Sequence, residues 1–373
     1  MTNSLSRRQF LQQASGVALA AGLSAAPVVA AEPTKPVREF RRRGMLYRRL
    51  GQTDLYVSML SFGSHTDPKF KRVLKNHSVL TQEGQARRDR QLARAFDLGV
   101  NMVDTYESDG QWEPVARLVR PKRDKVLVSI CRQLPMFVGE NIDRAARLYG
   151  HVDLYRICVG DGAATTNEIL EDWDVLRKAK KAGKVRAIGI STHSESMMTS
   201  ALKELEGLDY IMFPYNFIHA KADYSEFLPA AIKQGVGLIA IKPLAAGSIV
   251  KLDPKARPGS RPEQERVMLY QKQDRPLLPA VVAKLTRDLN QLPEETLCQA
   301  AMRFVYSRPF LTCAMPGMFQ DHEVEDNYAA LTRHLRLSKA EIKALDAASK
   351  LTQLRGPSWL PPSYRWLDNQ WRA

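Results

Sequence analysis

Four side chains, Asp104, Asp109, Cys131 and Cys158, carry the chemistry this chain is best equipped for: two carboxylates and two thiols, three of them at the ends of apolar runs. Five such runs in succession end at or near His65, Asp104, Cys131, Cys158 and His193. Parallel strands lie about 4.8 Å apart, so residues at the ends of neighbouring strands converge on one rim. Two thiolates, one or two imidazoles and a carboxylate suit a transition metal such as zinc or copper, with His65, Cys131, Cys158 and His193 as the expected ligands. Cys131 and Cys158 alone would serve as a redox dithiol that closes to a disulfide in an oxidising compartment. The blandest alternative has both cysteines filling space in a protein that binds a ligand without catalysis. Cys298 and Cys313 read as small buried core residues.

The elements that must position these residues alternate regularly. Strands are expected at 57–62, 100–104, 125–130, 152–157, 185–191, 210–214, 238–242 and 310–315. Helices are expected at 82–98, 112–119, 141–148, 167–181, 195–205, 225–234, 294–306 and 322–331, with an extra one at 338–349. Eight strands alternating with helices predict an α/β fold, a (β/α)8 TIM barrel whose active site lies at the strand ends. The stretches 65–80 and 248–285 would rim that mouth, and the Trp- and Pro-rich tail 351–373 would lie over it or against the outer helices.

Residues 1–31 read as an export signal. Arg7-Arg8 precedes a mild apolar run, and Val28-Val29-Ala30-Ala31 offers a small-residue cleavage context. This pattern predicts a twin-arginine signal, a periplasmic mature protein, and any cofactor loaded before export. Residues 32–44 read as a flexible lead-in and 45–350 as the barrel. The net charge of +15 falls to +13 without Arg7 and Arg8. The basic residues are dispersed, which points to a solvated surface and to a small-molecule substrate or ligand, not nucleic acid. No apolar stretch after residue 31 is long enough to span a membrane.

An ordered set of motifs resembles the aldo-keto reductase family. It opens with Tyr47-Arg48-Arg49-Leu50-Gly51 and Ser61-Phe62-Gly63, then continues through Asn101-Met102-Val103-Asp104 and Val152-Asp153-Leu154-Tyr155. Gly183-Lys184-Val185-Arg186-Ala187-Ile188-Gly189, Pro214-Tyr215-Asn216, Lys242-Pro243-Leu244, Pro316-Gly317 and Asn327 complete it. The resemblance implies a barrel that binds NADPH extended across its mouth and reduces carbonyls by hydride transfer, with a Tyr as proton donor, a Lys–Asp pair beside it and a His orienting the carbonyl.

Carried over by position, the resemblance makes Asp104 the catalytic Asp. It sets Asp109 where the Tyr would stand, Cys131 at the Lys and Cys158 at the His. Ordinary NADPH-dependent carbonyl reduction is therefore expected to be weak or absent. Tyr106 could supply a replacement hydroxyl and Arg132 a replacement charge, each at the cost of a backbone rearrangement. Ser191, Thr192, Tyr215, Asn216, Lys242, Pro316, Gly317 and Asn327 are the implied nucleotide contacts, for NADP or NAD. Met212 and Ile241 depart from the family pattern, and Glu323 stands where a cation would meet the 2′-phosphate of NADPH.

Overall fold

The computed structural model describes residues 39–63, 65–74, 78–106, 110–132, 137–159, 165–216, 222, 225–247, 249–250, 255, 294–332, 335 and 338–340. The expected signal, the 351–373 tail, Asp109, nearly all of 248–285 and the body of the 338–349 helix lie outside them.

The chain enters through an antiparallel sheet of β1 (Glu39–Arg42), β2 (Met45–Arg49) and β3 (Tyr56–Ser58). Part of the stretch expected as a flexible lead-in is thus a paired strand. Inside the 65–80 stretch a short hairpin forms from β4 (Lys71–Val73) and β5 (Ser78–Leu80), followed by helix α1 (Gln82–Asp97). Barrel units follow: β6 (Met102–Thr105) with α2 (Trp112–Val119), β7 (Leu127–Cys131) with α3 (Val138–Tyr149), and β8 (Val152–Val159) with α4 (Asn167–Lys181). Then come β9 (Val185–Thr192) with α5 (Glu195–Glu204), β10 (Tyr210–Pro214) with α6 (Phe227–Gln234), β11 (Gly237–Ile241), α7 (Leu297–Tyr306), β12 (Cys313–Met315) and α8 (Asp321–Thr332).

Strands β6 to β12 form one parallel sheet in sequence order. Residues 59–63 supply the eighth staves of the barrel: Leu60 bridges Ala314 of β12 and Phe62 bridges Val103 of β6. Their backbone is bonded on both sides, with Ser61 N–H donating to the Ala314 carbonyl at 3.0 Å and Asp104 N–H to the Phe62 carbonyl at 2.9 Å. The expected (β/α)8 architecture is what the chain adopts, although the first expected strand divides into antiparallel β3 and this closing segment. Side-chain caps open α1, α4, α5 and α7, where Thr81, Thr166, Ser194 and Thr296 each accept an N–H from the first turn.

Strand period two sorts the barrel interior into layers. The lowest is apolar and holds Val57, Met102, Leu154, Met212 and Ile239, with Leu127 packed against it. Two residues further along three of these strands, Met102, Leu127 and Leu154 give way to Asp104, Ser129 and Arg156. Arg156 grips both oxygens of Asp104, Nη1 to Oδ1 at 2.5 Å and Nη2 to Oδ2 at 2.9 Å, and Ser129 Oγ donates to Oδ1 at 2.8 Å. Both charged side chains are 2% exposed. Gly189 lies opposite Arg156 in the sheet, and a Cβ there would stand 2.5 Å from the Tyr210 carbonyl oxygen and 2.7 Å from its ring. Its missing side chain is what lets the Tyr210 ring lie in the interior.

Removing one member of a buried pair strands the other charge in low dielectric, whereas removing both does not. Arg156→Met is expected to lower unfolding free energy by about 3–5 kcal/mol in urea titrations. The double variant Asp104→Leu with Arg156→Met should recover most of that loss. Equal losses in single and double variants would show that packing, not charge, is at stake.

Candidate active site

Above the polar layer the same three strands end in Tyr106, Cys131 and Cys158. Tyr106 follows β6 directly and, two residues beyond Asp104, points to the same side. Its hydroxyl accepts a hydrogen bond from Arg156 Nη2 at 3.1 Å, the guanidinium lies 5.5 Å from its ring centroid, and the His65 ring meets it edge-on at 6.0 Å. Burial raises the Tyr106 pKa; Arg156 pulls it back down while Asp104 adds to the rise. Burial works against the Arg156 charge too, but Asp104, Tyr106 and Cys131 together outweigh it and keep the guanidinium protonated.

The expectations for Tyr106 and Arg132 are corrected here. With Cys131 at the Lys position, Arg156 from β8 supplies Asp104 with its cation, and Tyr106 reaches that cation with no rearrangement of the strand. Arg132 does not serve the site: its guanidinium pairs with Asp172 and, at 3.9 Å, with Glu168, both on α4. Arg156 went unnoticed in the sequence, yet it leaves a signal. It is the one basic residue inside the apolar run Val152–Val159 and shares the parity of Leu154 and Cys158, so burial demands a carboxylate partner.

Cys131 is buried at the end of β7, while Cys158 on β8 is exposed, and neither forms a disulfide. Hydrogen bonding to the Cys131 thiol, aided by Arg156 and Lys242 and opposed by burial, lowers the Cys158 pKa to about 6. The same bond, together with burial, drives the Cys131 pKa well up. His193, half-buried just after β9, is hydrogen-bonded through Nε2 to Lys242 Nζ. Burial, then the Lys242 charge, pushes its pKa down to about 2, so its ring is neutral. Lys242 holds a left-handed backbone (φ 52°), and its carbonyl accepts from Asn216 Nδ2 at 3.0 Å.

The expected metal centre is not formed. Among the described residues no group of three or more His, Cys, Asp or Glu side chains could hold an ion. The physical reason is that positive charge is already present. Arg156 occupies Asp104, Lys242 faces the His193 nitrogen, and His65 packs on Tyr106 instead of joining the thiols. Cys313 is buried in β12, as expected, whereas Cys298 is only partly buried against the core.

The residues implied as nucleotide contacts divide into groups. Ser191, at the end of β9, lies in register with Cys158, and Asn216 and Lys242 join it on that side of the mouth. Thr192 Oγ1 accepts the Ser194 N–H at 3.1 Å. Pro316 and Gly317 follow β12, where the Pro316 carbonyl takes the Gly63 N–H at 3.1 Å. Tyr215 turns away from the mouth: it is fully buried, stacked on Phe304 of α7 at 5.9 Å and edge-on to Phe310 at 5.5 Å. Asn327 is buried on α8, its carbonyl bonded to the Tyr306 hydroxyl at 3.1 Å. Glu323 Oε2 accepts the N–H groups of Phe319 at 2.6 Å and Gln320 at 3.2 Å, so a carboxylate of the chain itself covers the start of α8.

The aldo/keto reductase family model matches residues 76–350. An L-glyceraldehyde 3-phosphate reductase of Escherichia coli O157:H7 is 24% identical over 336 residues, spanning 81% of this chain and 92% of the relative. The uncharacterized oxidoreductase YrpG of Bacillus subtilis is 26% identical over 336 residues, spanning 81% and 95%. In fold, the chain resembles the holo form of aldo-keto reductase AKR11C1 from Bacillus halodurans, with a TM-score of 0.61 at 19% identity, covering 81% of this chain and 95% of that one. Barrel, motif order and family match agree that the chain belongs to the aldo/keto reductase family of oxidoreductases, whose members generally use NADP(H).

Proposed function

We propose that this chain is an exported oxidoreductase that interconverts a small polar carbonyl compound and its alcohol, with Tyr106 giving the carbonyl oxygen its proton. One observation carries the reading: Arg156 binds Asp104 and the Tyr106 hydroxyl at once. The resemblance would set a phenol at position 109 and an ammonium at position 131; here the phenol comes from position 106 and the cation from the neighbouring strand. A guanidinium stays charged throughout the neutral range, so it offsets the burial that makes this phenol a poor acid and steadies the phenolate left after proton transfer. Asp104 fixes the guanidinium plane, leaving one N–H edge for the phenol. The name of the E. coli relative supports an aldehyde as the substrate class.

A reduced nicotinamide, when bound, supplies the hydride. Ser191, in register with Cys158, is the side chain that would hold its carboxamide end, and Asn216 supports that wall by bonding the Lys242 carbonyl. The other end fits NADPH poorly. Glu323 covers the backbone N–H groups that open α8, and such groups would otherwise welcome an anion. A second negative charge beside that carboxylate is repelled, which supports NADH in place of NADPH. The Arg7-Arg8 signal pattern supports twin-arginine export and a periplasmic site of action.

Three outcomes are expected. With NADH and a panel of small aldehydes, Tyr106→Phe should cut kcat by about 10²–10⁴ while NADH still quenches protein fluorescence. Wild-type turnover that survives this change, or no turnover with either nucleotide, would overturn the reading, and the second result would favour a non-catalytic ligand-binding protein. Glu323→Ser should shift the NADH/NADPH ratio of kcat/KM toward NADPH by about tenfold, as removal of one adjacent charge implies. Arg7→Lys with Arg8→Lys should retain the protein in the cytoplasmic fraction on immunoblots of fractionated cells.

A further inference from the structure

The closed end of the barrel, opposite Tyr106 and the thiols, carries positive charge that the chemistry at the mouth does not use. Hairpin β1–β2 lies across that end. The Tyr47 hydroxyl donates to the Gly99 carbonyl at 2.7 Å, ahead of β6. Arg48 Nη1 donates to the carbonyls of Arg308 at 2.6 Å and Leu311 at 2.9 Å, ahead of β12. Gly51, just after β2, comes so close that a Cβ there would stand 2.6 Å from the Gly237 nitrogen at the start of β11. At the tip of this hairpin Arg41, Arg42 and Arg43 follow one another, all exposed. We propose that these arginines form a docking surface for anionic lipid headgroups, which seats the barrel closed end down on a membrane and leaves the mouth open to solvent.

Within the fold this charge is not answered. Arg41 Nη1 donates to the Gly44 carbonyl at 2.9 Å, and the hairpin's one carboxylate, Glu39, is drawn to Arg48 at 2.7 Å. Among the described residues no carboxylate pairs with Arg41, Arg42 or Arg43. Other cations at the same end are matched: Lys180 meets Asp209 at 2.6 Å, and Lys184 meets Asp143 at 2.7 Å. The arginines are also held in place before anything binds. Phe40, stacked on Tyr47 at 5.0 Å and tilted against Tyr56 at 5.4 Å, pins β1 to the barrel. Charges presented from a fixed strand lose less freedom on binding than charges on a loose tail.

Chain order selects lipid as the occupant, and this choice rests on the export reading above. The N-terminal apolar run ends at Ala26, 13 residues before Glu39. Such a segment reaches at most about 45 Å even when fully extended. While the apolar run lies in a bilayer, β1 is therefore tethered close to the headgroups, where each arginine adds about fivefold in affinity. That attraction fades within a Debye length, about 8 Å at physiological salt, so only cations at the outermost surface feel it. A second copy of the chain fits the same edge badly, because two rows of arginine would face each other.

The purified full chain is titrated with phosphatidylcholine vesicles, with and without phosphatidylglycerol, and binding is read by co-sedimentation. Phosphatidylglycerol should tighten wild-type binding, and high salt should reverse the gain. Arg41→Gln, Arg42→Gln and Arg43→Gln together should cut that gain by about a hundredfold. The same charge removed away from the closed end, by Lys69→Gln, Arg72→Gln and Arg90→Gln at exposed positions, should leave most of it. Every variant keeps the apolar run, so the comparison isolates the arginines. On the anionic vesicles hydrogen exchange should slow along 39–43 and not along 78–80 at the mouth. An equal loss in the control variant, no loss in the hairpin variant, or no preference for anionic vesicles would overturn the proposal, and the last would leave the arginines as guards of an open strand edge. Retention on polyglutamate without vesicle binding would also overturn it, in favour of an acidic protein partner. Vesicle binding uses purified protein and export is tested in fractionated cells, so the two readings can fail separately.

Discussion

The ion pair of Asp104 with Arg156 is the constraint to which the rest of the mouth conforms. Two opposite charges with 2% exposure are tolerable when each is paired with the other in a fixed geometry. Two-point contact satisfies both carboxylate oxygens, Ser129 adds a third bond, and Nη2 also donates to Tyr106, while Nε is left without a hydrogen-bond partner. The strand opposite Arg156 gives way as well, with Gly189 vacating the space that the Tyr210 ring fills. Fixing the guanidinium therefore fixes a phenol above it and a large aromatic ring beside it.

Charge at the mouth follows from the same pair. Asp104 neutralises Arg156 locally, yet Arg156 and Lys242 together still favour an anion at Cys158. Lys242 also keeps the His193 ring neutral, which removes that imidazole as a source of positive charge and turns its nitrogen toward an ammonium. The mouth is thus organised by fixed side-chain cations.

Much of this was legible in the residues. Apolar runs and caps placed eight strands and eight helices within a few residues, because each segment must hide its own apolar face and satisfy its own backbone. That Asp104, Cys131 and Cys158 lie at or near the ends of three successive strands was also readable. Their partners were not. Arg156, Lys242 and His193 come from three different segments, and no local pattern says which carboxylate or ring a buried cation will choose. Tyr215 failed for a related reason: a residue just past a strand end can turn to the mouth or to the helix layer, and packing against Phe304 and Phe310 decided it.

By itself the sequence determined a closed α/β barrel of the aldo-keto reductase type, with an altered set of side chains where the strands end, because hydrophobic periodicity and motif order are properties of the chain in one dimension. Only the tertiary structure decided that Asp104 is held by Arg156, that Tyr106 meets the same cation, and that Cys131 is buried while Cys158 is exposed. Those choices depend on which side chains from non-adjacent segments share a low-dielectric space, where an unmet charge costs several kcal/mol by order of magnitude, so the partners that remove that cost define the site.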